Sequence, residues 1–176
     1  MLRSSLIAKI VGLILLGSLL VSEVAANNLK EYQLKAAFLY NFIAFTQWPD
    51  GINQTLKICV YGEDYFGQEI DKLQTKSVHG SSIKILRLDS LEESKECQVL
   101  FISKSAISTL PDILTSIQGK SILTIADSPV AASEGVIINM ILSQNKINFE
   151  INLQSAHSVK LNISSKLLQL ASKVYQ

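Results

Sequence analysis

Apolar residues crowd the stretch from Tyr32 to Pro49, and they recur at helical steps. Leu34, Phe38, Phe42 and Phe45 fall three or four residues apart, which predicts a helix carrying all four on one face. Leu39, Ile43, Ala36 and Ala37 widen the apolar surface beyond a single stripe. A helix that is apolar most of the way round must be covered on more than one side. Its start is read at Asn28, where the side chain can accept from a first-turn amide and Glu31 follows three residues later. Its stop is read at Pro49, because the residue before proline avoids the helical region. The plain expectation is a core helix. The alternative is a core helix whose Leu39 and Ile43 side docks a partner or a second copy.

Beyond Pro49 the pattern shifts to short strands separated by short helices. Leu56–Tyr61 reads as a strand ended by Gly62, Phe66–Leu73 as a helix, and Ile83–Leu88 as a second strand. One helical turn fits Leu91–Lys95. Val99–Ile102 is wholly apolar, which suits a central strand. Ser105–Gln118 has helical spacing with Ile107, Leu110, Leu114 and Ile117 inward, and Pro111 suits a first turn while Gly119 suits a C-terminal cap. Ser121–Ala126 is a fourth strand, followed by a loop from Asp127 to Gly135. Val136–Leu142 and Ile147–Leu153 flank a tight turn in which Asn145 tolerates positive φ. In the second arm Ile147, Phe149, Ile151 and Leu153 alternate with polar residues. Glu150 and Asn152, with Asn139 on the neighbouring strand, are therefore expected on a solvated face. A last helix from Ser164 or Ser165 places Leu167, Leu170, Ala171 and Val174 together. The fold class is α/β: a mostly parallel sheet with helices on both faces and a C-terminal antiparallel hairpin.

The first 26 residues stand outside this scheme. Arg3 and Lys9 precede an apolar run, Ile10–Val21, that is shorter than a comfortable membrane span of about 20 residues. Val24 and Ala26 meet the small-residue rule for cleavage. Residues 1–26 thus read as a secretory signal peptide cut after Ala26, with an uncleaved anchor as the alternative. Residues 27–176 suit one domain with a real core. Their charges balance once Arg3, Lys9 and Glu23 are set aside, so no basic surplus drives nucleic-acid binding. No second run reaches spanning length, and the mature protein is expected to be exported and soluble. Export makes the two cysteines informative, because an oxidising compartment favours their pairing. A Cys59–Cys97 bridge would stabilise the fold by roughly 4 kcal/mol on chain-entropy reasoning. A redox-responsive bond and two buried thiols are the alternatives.

Catalytic patterns are not found. The sequence has no nucleophile elbow, no zinc-protease helix motif and no complete phosphate loop; Gly62 and Gly67 have half its spacing without the lysine. A base needs an orienting partner that sequence does not show, and His79 and His157 are read as surface or locally bonded residues. The polar group Asn139, Glu150 and Asn152 is the best binding candidate, with ordinary solvent-facing positions as the plain reading.

YQLKAAFLYNFIAFTQWP resembles the opening helix of the YfiR-like family of exported bacterial proteins. The likeness continues through ICVYG, CQVLFI, LTIADSP and NFEINLQSA followed by LNISSKLLQLA, over essentially all of residues 27–176. Cys59 and Cys97 occupy places where the family pattern has cysteines, while a second cysteine pair of some members is absent. The resemblance implies a periplasmic repressor without enzymatic activity or cofactor. Such a protein binds the periplasmic sensor domain of an inner-membrane diguanylate cyclase and lowers cyclic-di-GMP signalling and biofilm formation. It also implies a homodimer. Leu39, Ile43, Trp48, Asn139, Glu150 and Asn152 are the candidate contacts to a partner or ligand. A periplasmic small-ligand sensor, with a pocket formed by Tyr40, Trp48 and the Asn139–Asn152 group, is the second reading.

Overall fold

The structure is a computed structural model that describes residues 30–144 and 146–176. The leader, the Asn28 cap and the Asn145 turn lie outside the described residues. Beginning with helix α1 (30–44), the chain runs through β1 (Thr46–Gln47), β2 (Thr55–Tyr61), α2 (Gln68–Asp71), β3 (Ser77–Val78) and β4 (Ser81–Leu88). It continues through β5 (Val99–Ile102), α3 (Leu110–Ser116), β6 (Leu123–Ala126), β7 (Ile138–Ser143) and β8 (Lys146–Asn152). It closes with α4 (Leu153–Ser158), β9 (Asn162–Ile163), α5 (Ser165–Leu170) and β10 (Lys173–Tyr175).

The main sheet has the order β10-β8-β7-β6-β5-β2-β4-β3. Pairing is parallel from β4 through β2, β5 and β6 to β7, and antiparallel in the β7–β8 hairpin. The fold is thus the mostly parallel α/β sheet with a late hairpin that the strand pattern predicts. β5 and β6 are buried along their whole length, as strands covered on both faces must be. Alternation divides each strand between two cores. Ile58, Val60, Val99 and Phe101 pack with α1 on one side, whereas Cys59, Leu100 and Ile102 pack with α3 on the other. The Cys59–Cys97 disulfide is formed inside this second core, between residues 38 apart in sequence.

Three sequence expectations change. First, α1 turns Leu39, Phe42 and Ile43 fully inward, while Leu34 and Phe45 are 40% and 36% exposed. Tyr32, Ala36, Leu39 and Ile43 form the inner stripe, so the Leu39–Ile43 side is core and cannot be a docking face. Second, the helix stops well before Pro49. Thr46 leaves it to pair with Ile163 in a small antiparallel ribbon, and Ser164 N–H donates to the Phe45 carbonyl at 2.9 Å. Third, the last helix is brief. Leu170 is largely exposed, Ala171 is already extended, and Val174 sits in β10, parallel to β8.

Candidate functional site

The first turn of α1 presents Glu31, Tyr32 and Lys35 to the carboxyl end of β6, where Asp127 follows the last strand residue. In open parallel sheets that end is where ligands bind. Lys35 Nζ lies 2.5 Å from Glu31 Oε1 and 2.5 Å from Asp127 Oδ2. The Tyr32 hydroxyl donates to the same Asp127 oxygen at 2.8 Å, and the Lys35 ammonium stands 4.2 Å from the Tyr32 ring centre. Lys35 and Asp127 are both buried. Two charges survive burial only when each is paired and hydrogen-bonded, and here each is. Burial, reinforced by the Asp127 charge and its hydrogen bond, pushes the Tyr32 hydroxyl well above its usual range.

Stacked aromatics extend the cluster. The Tyr32 ring lies 5.6 Å from Tyr65 and 5.1 Å from Phe66, which in turn packs edge-on to Phe101. Lys104 covers the Tyr65 ring at 4.3 Å. These contacts tie the helix to the ends of β2 and β5.

On its outer side the cluster opens into a recess of about 460 Å³. Glu31, Lys35, Asp127 and Ser128 line its inner part. Pro129, Val130, Met140 and Leu142 give it apolar walls, and Glu150 and Tyr175 complete it. Val130 holds φ at 61°, a conformation that a β-branched residue seldom adopts, and it is 59% exposed. The Ser133 hydroxyl and the Glu134 amide both donate to its carbonyl. The loop is thereby fixed over the recess.

The sequence-predicted residues do not form one site. Asn139 is fully buried rather than solvated, because the loop after β6 covers its side chain: its Oδ1 accepts from the Ser128 amide at 3.2 Å. Asn152 is also buried, for it caps α4. Its Oδ1 accepts from Ser155 N–H at 2.8 Å and its Nδ2 donates to the Ala132 carbonyl at 2.7 Å. Glu150 is half-buried at the recess and accepts from the Tyr175 hydroxyl at 3.4 Å. Trp48 lies elsewhere, 6.4 Å from the His79 ring, and Tyr40 donates to the Ser77 carbonyl. A ligand pocket built from Tyr40, Trp48 and the two asparagines is therefore not formed. Leu39 and Ile43 are in the core.

The turn with half the spacing of a phosphate loop is occupied by its own carboxylate. Asp64 Oδ1 accepts from the Phe66 and Gly67 amides at 2.8 and 3.2 Å, so the donors a phosphate would need are already taken. Arg87 closes this turn through Asp64 and Asp71, and hydrogen bonding to Asp71 raises its already high pKa. His79 Nε2 lies 3.2 Å from the Ile43 carbonyl oxygen. Among the described residues no group of three or more His, Cys, Asp or Glu is placed to hold a metal ion. Sequence reasoning missed the Lys35–Asp127 pair. Its signal was a lysine inside an apolar helix, four residues after Glu31, and an aspartate closing an apolar strand.

The model of the YfiR/HmsC-like family matches residues 32–172. No curated protein matches the chain. Among solved structures, a conserved domain protein from Vibrio cholerae O1 biovar El Tor is similar at TM-score 0.54 and 8% identity, over 81% of this chain and 60% of that one. An ABC domain from Streptococcus pneumoniae in complex with L-Trp is similar at TM-score 0.51 and 11% identity, over 68% of this chain and 55% of that one. The chain thus spans little more than half the length of these structures, and at such identities the likeness is one of fold.

Proposed function

From the premise that the chain belongs to the YfiR/HmsC-like family, we propose that it is a periplasmic regulator that acts by binding rather than by catalysis. Its partner in this reading is the periplasmic sensor domain of an inner-membrane diguanylate cyclase, whose output it represses, lowering cyclic-di-GMP and restraining biofilm. Residues 1–26 are the export signal, residues 27–176 form one domain, and the active form is a homodimer. The observation that carries the reading is the family match across 32–172. The disulfide fits an oxidising compartment. No described helix is long and apolar enough to cross a membrane. The outer side of α1 supplies a candidate contact, since Leu34 and Phe45 are partly exposed beside Phe38.

The test is in-cell cross-linking followed by identification of the captured membrane protein. Capture of a cyclase through its exported domain is the expected result. Leu34→Lys and Phe45→Lys should fold normally and lose that capture, whereas Leu39→Lys and Ile43→Lys should not fold. Capture undiminished in folded Leu34→Lys and Phe45→Lys would move the contact off this face. Failure to capture any cyclase would overturn the reading.

A further inference from the structure

We infer that the recess at the end of β6 is a binding site for a small organic cation, an ammonium head on an apolar body. It is independent of the partner-binding role, so either reading can fail alone.

The first support is a set of unpartnered atoms. Asp127 Oδ1, Ser128 Oγ and Asn139 Nδ2 are buried and have no hydrogen-bond partner among the described residues. Buried polar atoms are almost always paired, so the two that line the recess and can accept, Asp127 Oδ1 and Ser128 Oγ, need an explanation. Asp127 and Ser128 line the recess directly, and Asn139 is tied to Ser128 by its other side-chain atom. An ammonium can donate to the free carboxylate oxygen and to the hydroxyl at once.

The second support is charge. The lining carboxylates are Glu31, Asp127 and Glu150, and the lining cation is Lys35. Lys35 is already shared between Glu31 and Asp127. A further anion meets net repulsion, and a cation meets net attraction that is strengthened by burial. The carboxylates do not converge as metal ligands, which points to an organic cation.

The third support is shape. Met140, Leu142, Pro129 and Val130 offer apolar walls above the charged end, and about 460 Å³ is a volume suited to a small molecule. The strained Val130 is the kind of backbone outlier that clusters at ligand clamps.

Calorimetry on the purified chain with propylamine, hexylamine and phenethylamine tests the assignment, with phenylacetate and 2-phenylethanol as charge controls. The expected result is saturable binding of at least one amine, tighter than either control by about tenfold, with movement of the Asn139 side-chain amide signals in NMR. Asp127→Asn should weaken it by about tenfold or more, and Glu150→Gln, which leaves the buried pair intact, by roughly threefold. No saturable binding of any amine below about 10 mM, equal binding of the controls, or unchanged affinity in folded Glu150→Gln and Asp127→Asn would each overturn the assignment. Quiet Asn139 signals during amine binding would place the amine elsewhere and overturn it as well.

Discussion

Tyr32 shows how one side chain can report on a buried charge. Its hydroxyl donates to Asp127 and is held above its ordinary pKa of 10.0, first by burial and then by that carboxylate. In the unfolded chain the same hydroxyl ionises near 10. The folded state therefore keeps its proton where the unfolded state loses it. Stability from this group is complete below pH 10 and is lost as pH rises beyond it. Urea unfolding between about pH 9 and 11 should show wild type losing roughly 1 kcal/mol more than Tyr32→Phe. Parallel declines in the two proteins would mean that Tyr32 ionises normally. At residue scale the sequence marked the Lys35–Asp127 pair only by a lysine inside an apolar helix and an aspartate closing an apolar strand. Lys35 and Asp127 look like ordinary surface charges until the topology brings them together. Asn139 and Asn152 obey a strand alternation that predicts solvent, yet one is covered by the loop after β6 and the other caps a helix.

At the scale of elements, legibility followed length and periodicity. β5 was read with its observed bounds, and β2, β4, β6 and the β7–β8 hairpin differ from their sequence readings only at the ends. The short pieces β1, β3, β9 and β10 were missed, since two or three residues carry no period. α1 was read as a core helix with Leu34, Phe38, Phe42 and Phe45 on one face, of which only Phe42 is fully buried, beside Leu39 and Ile43. When apolar residues surround a helix, its own pattern does not choose the inner face. In the fold, Tyr32 and Lys35 bond to Asp127 on the same side that buries Leu39 and Ile43. Gly62 is a second element-scale constraint, at the turn leaving β2. Its φ is 92°, and an added Cβ would stand 2.8 Å from Ser105 Oγ, 3.0 Å from Ala106 Cβ and 3.1 Å from Ser103 Cβ. Gly62→Ala should therefore cost about 2–3 kcal/mol in urea unfolding, from strain and crowding together. A cost near that of an exposed glycine replacement would show that the turn can open away from Ser103, Ser105 and Ala106.

For the molecule as a whole, the disulfide and the long-range pins divide the work of holding the layers. The bridge ties β2 to the approach of β5, across a 38-residue loop and within the core beneath α3. Replacing both cysteines by alanine should remove about 2–4 kcal/mol, and reduction of the native protein should do the same. Reductant-independent urea midpoints, matching in the double variant, would reduce the bridge to an ornament of packing. α1 has no such covalent help. Lys35 meets Asp127 only after 92 further residues, and Phe42 waits longer still for Phe149. At synthesis rates of about 5–20 residues per second, this helix, the most apolar among the described residues, is made roughly 5–20 s before the strands that cover it. Its wait ends only when the late strands arrive. The growing chain is thus most prone to clump through the segment that later closes the finished fold, and a holding chaperone would find its natural grip there.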